Sequence, residues 1–142
     1  MKRFLTESLH TATGRAAVVK EDDETVWAYL LESTEGPILA DCWVYNLIEA
    51  PTNIPPRYKE EGLPPPVVAY HAGPGARLAE VDPDAFELRW SEDGTAAGVL
   101  HRGRPVAIVQ LGTRGYARGL ARTGPWGQIW SDEVWRSLIG EV

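Results

Sequence analysis

Residues 27–31 and 43–47 carry the same alternating triplet, Trp27-x-Tyr29-x-Leu31 and Trp43-x-Tyr45-x-Leu47. Alternate residues of a β-strand share one face, so each segment presents a Trp-Tyr-Leu row. The residues between them are also mostly apolar: Val26, Ala28 and Leu30 in one, Cys42, Val44 and Ile48 in the other, with Asn46 the polar exception. A strand apolar on both faces needs cover on both. These two segments are therefore expected at the covered centre of a sheet.

Their neighbours extend the pattern. Strands are expected at Ala16–Lys20, Thr25–Glu32 and Ile38–Ile48, separated only by EDDE and STEGP. Breaks this short join antiparallel neighbours. Residues 49–66 then hold Pro51, Pro55, Pro56, Pro64, Pro65 and Pro66. Proline removes a backbone donor and fixes φ, so a long stiffened loop is expected there. Val67–His71 reads as a short strand, AGPG as a turn, and Asp82-Pro83-Asp84 as a tight turn or one helical turn. Phe86, Leu88 and Trp90 alternate with Glu87, Arg89 and Ser91, the signature of a half-buried strand. Thr95–His101 and Pro105–Leu111 flank Arg102-Gly103 and predict a hairpin. Ser131 is a good N-cap, with Asp132 and Glu133 in the first turn, so a short helix is expected over 132–139. Its apolar stripe is Trp130, Val134 and Leu138. A second helix over Thr6–Thr13 is opposed by Thr11, Thr13 and Gly14. The fold class that follows is α+β: a mostly antiparallel sheet of seven or eight strands with a short C-terminal helix.

The 142 residues suit a single domain, and 44% hydrophobic with 24% charged residues is ordinary globular composition. No apolar run approaches the roughly 20 residues of a membrane span. MKRFL starts like an export leader, but TESLHTATG follows with no apolar core. With one cysteine, Cys42, and no ligand-like spacing among Cys42, His10, His71 and His101, neither a disulfide nor a metal is expected. The expectation is a cytoplasmic protein with no cofactor and no membrane partner.

Charge is unevenly placed. Residues 1–93 hold 17 acids and 8 bases, whereas residues 94–142 hold 3 acids and 6 bases. The pI near 5.0 argues against a nucleic-acid partner for the whole domain. The acid-free stretch from Gly94 to Ser131 includes Arg114, Arg118 and Arg122, spaced by four, among Gly112, Gly115, Gly119 and Gly124. Glycines make a helix costly there, by about 1 kcal/mol each. A glycine-rich arch with outward arginines is expected instead. Trp126, Trp130 and Trp135 follow it, and Trp and Arg are enriched in binding hot spots. Arg114, Tyr116, Arg118, Arg122, Trp126 and Trp135 form the candidate partner-binding set, with a flap pinned to the core as the competing reading.

Catalytic signals are sparse. Cys42 lies mid-strand between apolar residues, where an inert core thiol is the default. Asp41 calls for a partner, for which an arginine on a neighbouring strand is the plain solution. A small-molecule pocket between the Pro-rich loop and the aromatic sheet face would draw on Asp41, Tyr45, Tyr58, Tyr70 and His71, with Arg114 or Arg118 as an anion clamp.

Residues 95–140, TAAGVLHRGRPVAIVQLG and then GYARGLARTGPWGQIWSDEVWRSLIG with its approach, resemble the closing segment of small bacterial proteins, some of them similar to immunity proteins of polymorphic toxin systems. The shared feature is Gly115 and Tyr116, a basic Arg118, then Pro125, Trp126 and Gly127 before a terminal helix. The resemblance implies a small, acidic, non-enzymatic protein that blocks a toxin by charge and shape, and it carries over no catalytic residue. Against a basic toxin, the EDDE turn and Glu60-Glu61 would supply the complementary charge. The first functional expectation is thus a binding protein with a protein partner. The pocket is the second, and a homo-oligomer meeting through exposed rings is the third.

Overall fold

The structure, a computed structural model, describes residues 3–141; the first two residues of MKRFL and Val142 lie outside them. The chain is mostly β, and its strands form two sheets rather than one sheet of seven or eight. The first sheet is β1 (Arg3–Leu9), β2 (Ala16–Glu21), β3 (Thr25–Leu31) and β4 (Ile38–Asn46), in that spatial order and antiparallel throughout. The second is β5 (Phe86–Trp90), β6 (Ala96–His101), β7 (Arg104–Gln110), β8 (Tyr116–Ala117) and β9 (Gln128–Ile129), with only the β8–β9 pair parallel. Two short helices, α1 (Arg57–Glu60) and α2 (Asp132–Leu138), complete the described elements together with a 3₁₀ turn at Pro83–Ala85.

Of the two strands expected at the centre, β3 lies between β2 and β4, whereas β4 is the edge strand of its sheet and is buried by the second sheet instead. Trp27 and Trp43 face each other across β3 and β4, and Val26, Ala28, Leu30, Cys42 and Trp43 are fully buried. One shared core joins the sheets: Val19, Val26, Ala28 and Trp43 from the first, Phe86, Val99, Val106 and Val109 from the second. The other side of the second sheet is covered by α2, where Ala96, Leu100 and Ile108 pack around Trp135. The layers are therefore sheet, sheet and helix. A single row of inward side chains cannot satisfy strands apolar on both faces, and this third layer is what covers β6.

Helix α2 starts as expected: the Ser131 hydroxyl accepts a hydrogen bond from the Val134 amide at 3.1 Å. Its inner face is set by Trp135, 2% exposed, while Trp130, Val134 and Leu138 pack around it only partly buried. Room for the indole comes from Gly98 on β6, where any Cβ would overlap the Trp135 ring.

Three expectations need correction. Thr6–Thr13 is not helical; β1 runs through Leu9, and a hairpin with Gly14 at φ +78° leads into β2. Val67–His71 is not a strand. Its backbone is held by a side chain instead: the buried Asn46 amide donates to the Val67 carbonyl at 2.9 Å and accepts from the Val67 amide at 2.8 Å. The same Asn46 oxygen accepts from Trp43 Nε1 at 2.9 Å, and the Asn46 main chain bonds Ala76 and Leu78. Third, the Pro-rich loop is not wholly irregular, because α1 inserts one helical turn that buries Tyr58.

Candidate functional site

The glycine-rich arch is folded in, not raised. Gly115 lies so close to the Ile108 carbonyl and Cys42 that a Cβ there would overlap both. Trp126 is 8% and Trp135 2% exposed, so both are core rings and not partner-facing ones. Tyr116 is half-buried on β8 against the α2 cluster. Arg122 donates to the Tyr70 carbonyl at 2.6 Å with its guanidinium 4.1 Å over the Tyr70 ring. Arg114 is exposed, and its carbonyl accepts from the Gln110 and Gln128 side chains.

The alternative set does not converge either. Tyr58 is buried beside Arg57 and Thr25, Tyr70 is 67% exposed, and His71 packs on Trp126 with ring centres 5.2 Å apart. Asp41 lies in a separate shallow depression with Arg114 and Gln110, makes no ion pair among the described residues, and has its carboxyl pKa raised by partial burial. Cys42 is fully buried; burial, then the Asp41 charge, pushes its thiol far up. A thiol so placed is a core filler.

Of that set Tyr45, with Arg118, lines a cleft close in volume to the Asp41 depression of about 330 Å³ but more enclosed. A cleft of about 350 Å³ opens where β4 meets the β6–β7 hairpin and β8. Its walls are Val44 and Tyr45 on β4, His101, Arg102, Arg104 and Val106 on the hairpin, Arg118 and Gly119 beyond β8, and the Pro74-Gly75 turn. The Pro-rich loop does not line it. No carboxylate lines it, in a chain of net charge −6.

Each polar group in the cleft is positioned. Tyr45 Oη lies 2.8 Å from His101 Nδ1; with the hydroxyl as donor, the ring proton sits on Nε2. The imidazole is stacked on Phe86 at 4.7 Å and meets the Tyr45 ring edge-on at 5.2 Å. Desolvation, followed by repulsion from Arg102, lowers the His101 pKa, with Asp82 opposing. The ring is therefore neutral at pH 7, about where unperturbed histidine is already mostly deprotonated. Arg118 Nε donates to the Pro105 carbonyl at 2.7 Å, and the guanidinium stacks 4.6 Å over Trp130 and meets Asp132 at 3.4 Å. Burial and then the Arg104 charge lower the Arg118 pKa. Arg102 and Arg104 make no side-chain hydrogen bond or ion pair among the described residues. All three guanidiniums act on the Tyr45 hydroxyl, pulling its pKa down against a larger desolvation that raises it.

Arg102 has φ +52° in the β6–β7 turn, the left-handed region that side chains other than Gly, Asn and Asp rarely adopt. Two-residue hairpins favour positive φ at both central positions. The turn thus holds an arginine where a smaller residue would be less strained, and its guanidinium lines the cleft.

His101, Arg102 and Arg104 belong to neither candidate set drawn from the sequence, although the two arginines fall in its acid-free basic stretch. The available signal was the RGR turn beside a histidine in an acid-free stretch; what it lacked was Tyr45, 56 residues away from His101. Among the described residues no group of three or more His, Cys, Asp or Glu is placed to hold a metal ion, and no helix is long and apolar enough to cross a membrane. Comparison with known proteins finds no matching family model, no matching curated protein and no matching solved structure.

Proposed function

We propose that the chain is a binding protein whose ligand presents an anionic group to the Tyr45–His101 cleft. The observation that carries this reading is the lining: three guanidiniums, an imidazole and a phenol, with no acid among them. Like charges gathered in a partly desolvated site repel one another, and an anion relieves that repulsion. Guanidiniums bind carboxylate and phosphate oxygens in a planar fork, and two of the three here are not engaged elsewhere. We read the site as a binding one; Cys42 and Asp41 lie outside the cleft.

A toxin-neutralising role through the acidic turn finds less support. Glu21 pairs with Arg3 at 2.6 Å, Glu24 pairs with Arg57 at 2.6 Å, and Asp22 is buried. Those three charges serve the fold, while Asp23, Glu60 and Glu61 stay exposed. In our reading an immunity-type role takes the opposite polarity, with the chain supplying the basic surface.

Isothermal titration with inorganic phosphate, sulfate and citrate tests the proposal. At least one of them binds with one-to-one stoichiometry, and Arg104→Ala weakens it at unchanged fold. Absence of saturable binding by all three overturns it.

A further inference from the structure

We infer that the anionic occupant is an acidic polypeptide segment in extended conformation, not a compact oxyanion; this rests on the cleft reading above. A second depression of about 380 Å³ adjoins the cleft and is lined by Arg102, Gly103, Arg104, Pro105, Arg118 and Arg136 among others. Arg102, Arg104 and Arg118 belong to both linings, so the two basins meet along one ridge of guanidiniums. A single phosphate or carboxylate occupies a small part of the first basin and does not reach Arg136, which lines only the second of the two. An extended chain advances about 3.3 Å per residue and presents carboxylates repeatedly along that path.

The far rim supports a polypeptide with a defined direction. Asp132 and Glu141 line only the second basin, and Asp132 already holds Arg118 at 3.4 Å. The acid-free cleft is therefore the more anion-selective end, and the second basin takes a mixed sequence in which an amide or a basic side chain meets Asp132 or Glu141.

Nucleic acid is the competing polyanion, and the rings decide against it. Single strands are held by stacking bases on open aromatic faces. Here the Trp130 face is covered by Arg118, Trp135 is buried, and Tyr45 is packed edge-on against His101 and Phe86. Neither basin offers a free ring.

The test is fluorescence anisotropy of a labelled oligoglutamate and a labelled oligothymidylate, with unlabelled phosphate as competitor. The expected result is that oligoglutamate binds more tightly than phosphate and than oligothymidylate, and that salt weakens it. Arg104→Ala weakens phosphate and peptide alike, whereas Arg136→Ala, at an exposed position, weakens the peptide about fivefold and leaves phosphate unchanged. If phosphate binds but oligoglutamate binds no better, or Arg136→Ala has no effect on it, the extended occupant is refuted while the cleft stands. If oligothymidylate binds most tightly, the polypeptide assignment fails. If neither phosphate nor peptide binds and Arg104→Ala changes nothing, the cleft reading itself fails.

Discussion

Replacing Asn46 by leucine, a side chain of similar size, tests how the cleft wall is held. Asn46 is 1% exposed and makes three side-chain hydrogen bonds: to the Val67 carbonyl, from the Val67 amide and from Trp43 Nε1, at 2.8 to 2.9 Å. Val67 and Trp43 are themselves fully buried, so water does not reach the orphaned groups. Each buried polar group left unpaired costs about 1–3 kcal/mol. Three of them sum to roughly 3–6 kcal/mol at the lower half of that range, while volume-conserving replacement adds only about 1 kcal/mol of packing change. For a domain with about 5–15 kcal/mol of stability this is a large share. The total of about 4–7 kcal/mol, at roughly 3 °C per kcal/mol for a chain of this size, lowers the thermal midpoint by about 12–21 °C. Urea unfolding followed by tryptophan emission measures it. The Asn46 main chain also ties Ala76 and Leu78 beside the Pro74-Gly75 wall, so phosphate affinity falls in the same variant. A loss below about 1 kcal/mol, under the cost of a single unpaired group, would refute the reasoning.

Anion binding strengthens as pH falls. Burial and Arg102 hold the His101 pKa below its ordinary value in the free protein, an anion in the cleft raises it, and affinity drops as pH rises from the lowered free-state pKa through the anion-bound one. Without ligand, the unfolded chain takes up that proton first, so stability declines as pH falls below about 6.5. Titration calorimetry with sulfate, which keeps its charge across this range, checks the first and urea unfolding the second, each with His101→Gln as control; a pH-independent affinity or stability contradicts them. Gly98→Val drives a side chain into the Trp135 ring and destabilises by about 2 kcal/mol, measured by urea unfolding. Cys42 in the native protein reacts with a thiol-specific disulfide reagent only at the rate of global opening, since it is fully buried; prompt labelling would contradict its placement.

The parts of this fold legible in the sequence are those decided locally. Two-residue periodicity marks β3, β4 and β5, the Arg102-Gly103 turn marks the β6–β7 hairpin, and Ser131 marks the start of α2. What escaped depends on distant chain. The apolar rows of β3 and β4 require cover, but whether it comes from a helix or a second sheet is set by residues some sixty positions on, as the presence of Val106 and Val109 in the same core as Trp43 illustrates. Val67 looks like a strand residue by composition, yet its hydrogen bonds go to one asparagine. Trp135 sits one position off the expected inner stripe and is nevertheless its most buried ring, because Gly98 on another element leaves space for it. The cleft was partly legible through Tyr45 and Arg118, which the pocket reading paired as a lining group and one of two anion clamps, but without His101, Arg102 or Arg104. Only the meeting of β4 with β7 and β8 unites them.

The anion cleft draws Tyr45 from one sheet and His101, Arg104 and Arg118 from the other or its margin. An occupant there acts as a rivet through two plates. Saturation at a hundredfold excess over the dissociation constant adds about 2.7 kcal/mol against their separation. Any slippage between the plates dismantles the grip, so occupancy reports whether the interior is correctly assembled.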